Sequence, residues 1–192
     1  MKSICSLETY WKEKSLLKPK EIEIVCSFFH SEILKKEEPL VKEGDRYSKI
    51  VFVEKGVFRV FVIDTSGAEI VKNFIEENNF FSDIEGFEKN CPAVINVSAV
   101  TDCTIRTLSK SDAGLLVQQL PEWAHLMKSG AIEAMGEMIR KQTFLCMGNS
   151  TDRYRHFIEA FPVLAQQVPL KYIASYLRIT QSSLSRIRKQ AW

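Results

Sequence analysis

Residues 168–192 read VPLKYIASYLRITQSSLSRIRKQAW, and their apolar spacing decides the fold of the C-terminal end. Ile173, Ala174 and Leu177 fall on one face of a first helix spanning about residues 170–177. Thr180 stands where a second helix needs its N-cap, and Leu184 with Ile187, three residues apart, form that helix's inward face. Only two or three residues separate the helices, so they must cross steeply, and the small Ala174 sits where they approach. This is the pattern of a helix-turn-helix, whose second helix enters the DNA major groove.

The outer face of the second helix agrees with that pattern. Gln181, Ser182, Ser185 and Arg186 point away from Leu184 and Ile187. Arg is shaped for a bidentate contact to guanine, and Gln can pair with adenine. Thr180, Ser183 and Lys189 complete the second helix's set of candidate DNA contacts, and Lys171 and Arg178 add two cations before it. Residues 160–192 hold five basic side chains, counting Arg188, and no acidic one. The chain as a whole has 26 basic and 24 acidic residues, so the preceding 159 residues are mildly acidic. A basic end on an acidic body is the footprint expected of phosphate contact. The plain alternative is a solvated basic helix.

A chain of 192 residues, 45% apolar and 26% charged, suits one large or two small domains with an ample core. No run of about 18 apolar residues is present, and the first residues, MKSICSLETYWKEKS, lack the apolar stretch of a signal peptide. A cytoplasmic protein without a membrane span is expected. The five cysteines, Cys5, Cys26, Cys91, Cys103 and Cys146, are scattered and odd in number, and His30, His125 and His156 are equally dispersed. Neither disulfides nor a metal site is expected from such spacing. Cys91, beside Pro92, is the thiol best placed to report on redox state.

In chain order, residues 1–36 read helical through Leu7, Tyr10, Trp11, Leu16, Leu17, Ile22, Val25, Phe29 and Ile33, with Pro19 opening a new helix. Residues 35–39 form a charged break. From residue 40 to 108 short Val-, Ile- and Phe-rich runs alternate with turn signals. Gly44, Gly56 and Gly67 recur at near-equal intervals, and Asp64-Thr-Ser-Gly67 reads as a hairpin turn. Ile95, Val97 and Ala99 share one strand face. The stretch between these strands, residues 78–92, reads as irregular. It holds Asp83, Glu85 and Glu88, but no histidine or nucleophile accompanies them, so no catalytic residue is assigned. The expectation is that the chain is not an enzyme.

Ser109 or Ser111 caps a short helix ending near Leu120, and a long helix follows over residues 121–147. At 1.5 Å per residue it spans roughly 39 Å, more than one small domain needs. Its length favours pairing with a second copy through Met127, Ala131, Met135, Met138 and Ile139. Gly148-Asn-Ser150 ends it, and residues 151–160 form another helix with Tyr154, Phe157 and Ile158 inward. The sequence therefore divides into a β-roll sensor at 1–120, a dimerisation helix at 121–148 and a DNA-reading domain at 149–192. The fold class is α+β: N-terminal helices, an antiparallel jelly-roll-like β-roll, the long helix and an all-α end.

With this order in hand, the whole chain resembles the Crp–Fnr regulators. VKEGDRYSKIVFVEKGVFRVFVIDTSGAEI, residues 41–70, is similar to the first half of their β-roll. TDRYRHFIEAFP leading into VPLKYIASYLRITQSSLSRIRK is similar to the version found in Bacteroidetes-type members. The resemblance implies a homodimer that reads a near-palindromic site on double-stranded DNA and recruits or blocks RNA polymerase. Members that bind cAMP carry a Gly-Glu pair for the ribose and an Arg-Ser pair for the cyclic phosphate. Here Ser82-Asp83, following Phe81, and Ala93-Val94 occupy those positions. A cyclic phosphate would be buried without its cation, so cAMP is not expected to bind and no cofactor is named. The sharper reading of the pocket is a small-molecule effector other than a nucleotide.

The DNA reader departs from the family as well. Arg178 replaces the usual turn glycine, which costs of order 1 kcal/mol if φ is positive there; a phosphate contact could offset this. Gln181-Ser182 replaces the family's Arg/Pro-Glu lead, whereas Arg186 matches the base-reading Arg. The sequence stops at Trp192, where many members continue into a β-wing, so fewer phosphate contacts are expected. The competing reading is a sensor or scaffold with a decayed DNA reader that acts through protein partners.

Overall fold

The structure, a computed structural model, describes residues 7–14, 16–146 and 148–191; Cys5, Met147 and Trp192 fall outside them. The chain divides into two units, one over residues 1–62 and 74–124, the other over 63–73 and 125–192. This differs from the three-part division read from the sequence. Most of the long helix groups with the C-terminal helices, and so does the tip of a strand hairpin.

In the first unit α1 (Leu7–Lys14) and α2 (Pro19–Phe28) precede the strands. Pro19 opens α2 as its spacing implied, and the Glu21 carboxylate accepts the Lys18 N–H at 2.7 Å. The expected continuation of this helix through Ile33 is not found. The backbone is extended at Phe29, and β1 (His30–Leu34) pairs antiparallel with β8 (Cys103–Ser109), His30 facing Thr107 and Leu34 facing Cys103. Phe29 and Ile33 are spaced as on a helix, but Ile33 is 69% exposed while Phe29 and Leu34 are buried. Backbone pairing to β8, rather than an apolar stripe, holds the segment.

The remaining strands are β2 (Pro39–Val41), β3 (Lys49–Lys55), β4 (Phe58–Ile63), β5 (Glu69–Ile75), β6 (Phe80–Ser82) and β7 (Asn96–Ala99). With β1 and β8 they make two four-stranded sheets, ordered β1-β8-β3-β6 and β2-β7-β4-β5. Val51 and Val53 of β3, Phe58 and Val60 of β4, Val97 and Ala99 of β7 and Ile105 of β8 meet in one core. The alternation of Ile95, Val97 and Ala99 is therefore inward, as expected. Phe52, on the other face of β3, joins Tyr10, Trp11, Phe29, Phe80 and Trp123 in a chain of ring contacts 4.9–6.4 Å apart. Burial on both faces explains why the run KIVFVEK is nearly continuous rather than alternating.

Two turns illustrate local control. Asp64 Oδ1 accepts the N–H groups of Ser66 and Ala68, closing the hairpin ahead of Gly67. Gly56 has φ +97°, and a Cβ there would lie 2.6 Å from both Asp102 O and Cys103 Sγ, so neither backbone angle nor space admits a larger residue.

Residues 78–92, read as irregular, contain β6 and the short helix α3 (Ile84–Lys89). Pro39, read as part of a charged break, begins β2. Both strands are three residues long, too short for a periodic signal. Ser109 caps α4 (Lys110–Gln119), its hydroxyl accepting the Asp112 N–H at 3.1 Å.

The second unit consists of most of α5 (Glu122–Leu145), with α6 (Ser150–Ala160), α7 (Pro162–Gln167), α8 (Leu170–Tyr176), α9 (Gln181–Ala191) and the hairpin tip. The Asn149 side chain accepts the N–H groups of Thr151 and Asp152 and so starts α6 one residue earlier than expected. α7 was not anticipated; its six residues start at Pro162 and carry a single buried side chain, Leu164. Among the described residues no helix is long and apolar enough to cross a membrane.

Candidate nucleic-acid interface

The helix-turn-helix predicted at the C-terminal end is present as α8 and α9. Its inner surface is continuous: Tyr172, Ile173, Ala174 and Tyr176 of α8, Leu177 at its C-cap, and Leu184 and Ile187 of α9 are all at most 7% exposed. Ala174 is 2% exposed, and its carbonyl accepts the Ile179 N–H at 3.0 Å as the chain turns. Tyr154, Phe157 and Leu164 from α6 and α7 are also buried in this unit, with Phe157 and Tyr176 rings 5.7 Å apart.

The turn itself confirms one expectation and changes another. Arg178 has φ +57°, the left-handed conformation that glycine usually fills. Its guanidinium is not simply held out toward solvent, however. Nη2 donates to Gln142 Oε1 at 3.3 Å, and Nη1 lies 3.9 Å from Cys146 Sγ. The offset foreseen as a phosphate contact is in this structure a bond to the end of α5. Thr180 caps α9, its hydroxyl oxygen accepting the Ser183 N–H at 3.1 Å. Ser182 and Ser183 hydroxyls lie 3.0 and 2.8 Å from Thr180 Oγ1, so Thr180 and these two serines serve the cap before any ligand.

What remains on the outer face of α9 is Gln181, Ser182, Arg186, Arg188 and Lys189, all exposed, with Ser185 half-buried. No carboxylate lies on α9, and none of its cations enters an ion pair among the described residues. Lys171 is exposed on α8, its Nζ 4.6 Å from the Tyr172 ring centre. The structure thus gathers an uncompensated cationic surface on a helix whose opposite side is fully packed.

Sequence reasoning missed the residue that anchors this element. The Ser175 hydroxyl accepts the Val71 N–H at 2.9 Å and donates to the Glu69 carbonyl at 3.1 Å, tying α8 to the hairpin tip. Gln142 adds a second tie, donating to the Lys72 carbonyl at 3.1 Å. All three partners are backbone groups 70 to 106 residues away, which no local pattern announces.

The positions read as a degenerate effector cassette differ in their surroundings. Phe81 packs against the roll core. The Ser82 hydroxyl donates to the Lys49 carbonyl at 3.2 Å. Asp83 caps α3, accepting the Gly86 N–H at 3.2 Å, so its carboxylate is engaged locally. Ala93 is 3% exposed and bonded through its backbone to Gly44 and Asp45, whereas Val94 is 73% exposed. Val94 therefore does not line an enclosed pocket. On the long helix Ile132, Met135, Met138 and Ile139 are exposed, and Met127 and Ala131 are half-buried.

Residues 31–119 match the cyclic nucleotide-binding domain family. FixK2 from Bradyrhizobium japonicum superimposes with a TM-score of 0.73 at 16% identity, over 84% of this chain and 83% of that one. The c-di-GMP-responsive global regulator CLP of Xanthomonas campestris gives 0.71 at 15% identity, over 91% of both chains. The catabolite activator protein of Thermus thermophilus gives 0.59 at 19% identity, over 91% of this chain and 84% of that one. No curated protein matches the chain in sequence. The chain has the fold of the Crp–Fnr regulators: a cyclic nucleotide-binding-type β-roll, a long helix and a C-terminal helix-turn-helix.

Proposed function

We propose that the chain is a dimeric, sequence-specific DNA-binding transcription regulator that acts by binding rather than by catalysis. The observation that carries this reading is α9: Leu184 and Ile187 are buried while Gln181, Arg186 and Lys189 stand exposed, unopposed by any carboxylate of the helix. Such a helix offers Arg186 and Gln181 to base edges and its cations to phosphates. A second copy joins through the exposed stripe of α5, which places two reading helices at half-sites about one DNA turn apart. RNA polymerase is the partner that gives binding a transcriptional outcome.

The β-roll does not bind cAMP in this reading. Ala93 and Val94 supply no cation or hydroxyl for a cyclic phosphate, and Asp83 already caps α3. The effector is a different small molecule.

Selection of binding sites from random duplex DNA, with the native chain and Arg186→Ala in parallel, tests the proposal. A two-fold-related consensus that relaxes at one base pair in the variant is the expected result. Absence of any enriched sequence overturns it in favour of a scaffold acting through protein partners.

A further inference from the structure

A cleft of about 440 Å³ opens within the second unit, between the C-terminal end of α5, α6 and the end of α8. Its walls combine Arg140, Arg153 and His156 with the rings of Phe144, Phe161 and Tyr176. His156 lies flat on Phe144, ring centres 3.5 Å apart and planes at 23°. A volume in the range of roughly 300–1,000 Å³, apolar walls and a few convergent polar groups are what small-molecule sites share.

The charges of the cleft do not cancel. Glu137 is the one carboxylate among the lining residues, and Lys141 holds it at 2.8 Å while also lying 4.9 Å from the Phe161 ring centre. Arg140 and Arg153 are left over, and neither enters an ion pair among the described residues. Arg153 spends Nη1 on a long 3.4 Å bond to the Leu145 carbonyl, and its Nε is buried without a hydrogen-bond partner. An unsatisfied buried donor on a guanidinium is costly and is relieved by an anion.

The cleft also stays open when the α5 stripe is used. Phe144 follows Met135 by nine residues, which at about 100° per residue sets it on the opposite side of the helix. A copy docked on Ile132, Met135 and Ile139 therefore leaves Arg140 and Phe144 accessible.

We infer that this cleft binds an amphipathic anion, a carboxylate or phosphate carried on a flat aromatic or hydrocarbon body. The anionic group meets Arg140 and Arg153, and the body lies along Phe144, His156 and Phe161. Tyr176 and Leu177, which line the same cleft, immediately precede the Arg178 turn. The ligand therefore braces α8 against α5 and fixes the angle at which α9 is presented. This regulatory consequence rests on the DNA-binding reading above; the binding itself does not.

The test uses two probes with one aromatic body, 1-anilinonaphthalene-8-sulfonate and its uncharged analogue N-phenyl-1-naphthylamine. Each is titrated into the full chain by fluorescence and calorimetry. The sulfonate should saturate at one equivalent per chain. Its affinity should fall about tenfold or more for the neutral analogue, and likewise in Arg140→Gln and Arg153→Gln, as loss of a charge-assisted hydrogen bond implies. Met135→Ser, on the opposite face, should leave it unchanged. Arg140 is exposed, so its variant tests the site even if Arg153→Gln fails to fold. Equal binding of the two probes overturns the proposal, as does sulfonate binding that survives Arg140→Gln but weakens in Met135→Ser. No DNA is present in these titrations. A chain that binds the sulfonate as expected yet selects no DNA refutes the regulator reading alone, and the reverse result refutes this site alone.

Discussion

Arg178 and Gln142 are joined by a 3.3 Å hydrogen bond that runs from the helix-turn-helix turn to the end of α5. Arg178 holds this bond while in a left-handed conformation, φ +57°. For a residue with a Cβ that conformation costs about 1 kcal/mol, whereas an exposed bond of this length returns less. Arg178→Ala keeps the strain and loses the bond; Arg178→Gly loses both. Chemical denaturation should therefore find the Gly variant about 1 kcal/mol more stable than the Ala variant. Equal stabilities would show that the turn relaxes out of the left-handed region in solution.

Arg186 and Lys171 are both exposed cations, but they sit differently on the reader. Arg186 is in the middle of α9, and Lys171 is at the start of α8. Arg186→Ala should weaken the preferred site by about 1–3 kcal/mol and leave other sequences little changed. Lys171→Ala should weaken all sequences alike and flatten the salt dependence by about one unit, the signature of one lost phosphate contact. Binding isotherms on matched and scrambled duplexes at several salt concentrations distinguish the two. A uniform loss in Arg186→Ala would remove it from base reading.

The apolar stripe on α5 leads to a prediction about assembly. Ile132, Met135 and Ile139 are 52–62% exposed, and three large apolar side chains on one helix face are a surface that a second copy would cover. Met135→Asp should shift the protein to monomer by sedimentation while leaving its secondary structure intact, because the side chain is half exposed and belongs to no buried core of the chain. A dimer that persists in the variant would place the interface elsewhere.

A ligand that binds the folded state raises the melting temperature by mass action. With Ala93 and Val94 at the phosphate positions and Asp83 committed to the Gly86 N–H, millimolar cAMP should leave the melting temperature where it was. A rise of several degrees would mean that another cation reaches the phosphate.

How much of this was legible in the sequence depended on whether a signal was local. The Thr180 cap, the Leu184–Ile187 spacing, the Asp64–Gly67 turn and a serine cap at Ser109 or Ser111 are set by neighbours in the chain, and each appears where its residues imply, with Ser109 as the serine that caps. β1 was misread because Phe29 and Ile33 mimic a helical repeat, while the strand is held by its ladder to β8, 69 to 77 residues away. β6 and α3 are too short to carry a period. The site was legible in part: the α9 surface follows from its apolar complement, but the Ser175 tether and the Arg140–Arg153 cleft bring together elements with no shared pattern. Arg153 and His156 do stand three apart on α6, on one helix face. Only the fold shows that Arg140 and Phe144 come to meet them.

Glu32 offers a pH-dependent check on the β-roll. Its carboxylate accepts from Lys49 Nζ and from Thr107 Oγ1, each at 2.8 Å. Partial burial opposes the charged form, but these two hydrogen bonds, together with the nearby charges of Lys49 and His30, outweigh it and hold the group below its ordinary value of 4.5. A carboxylate whose folded pKa is depressed adds stability above the unfolded pKa, and that stability is lost as pH falls through the folded value. Glu32→Gln should therefore be less stable than the native chain at pH 7. The Glu32 side chain is 38% exposed, so screening keeps the difference below about 1 kcal/mol. Melting both proteins between pH 7 and pH 3 should show the gap narrowing below about pH 4.5 as Glu32 protonates. A gap of constant size across that range would assign the loss to packing around β1 and β8, with no contribution from the carboxylate's charge.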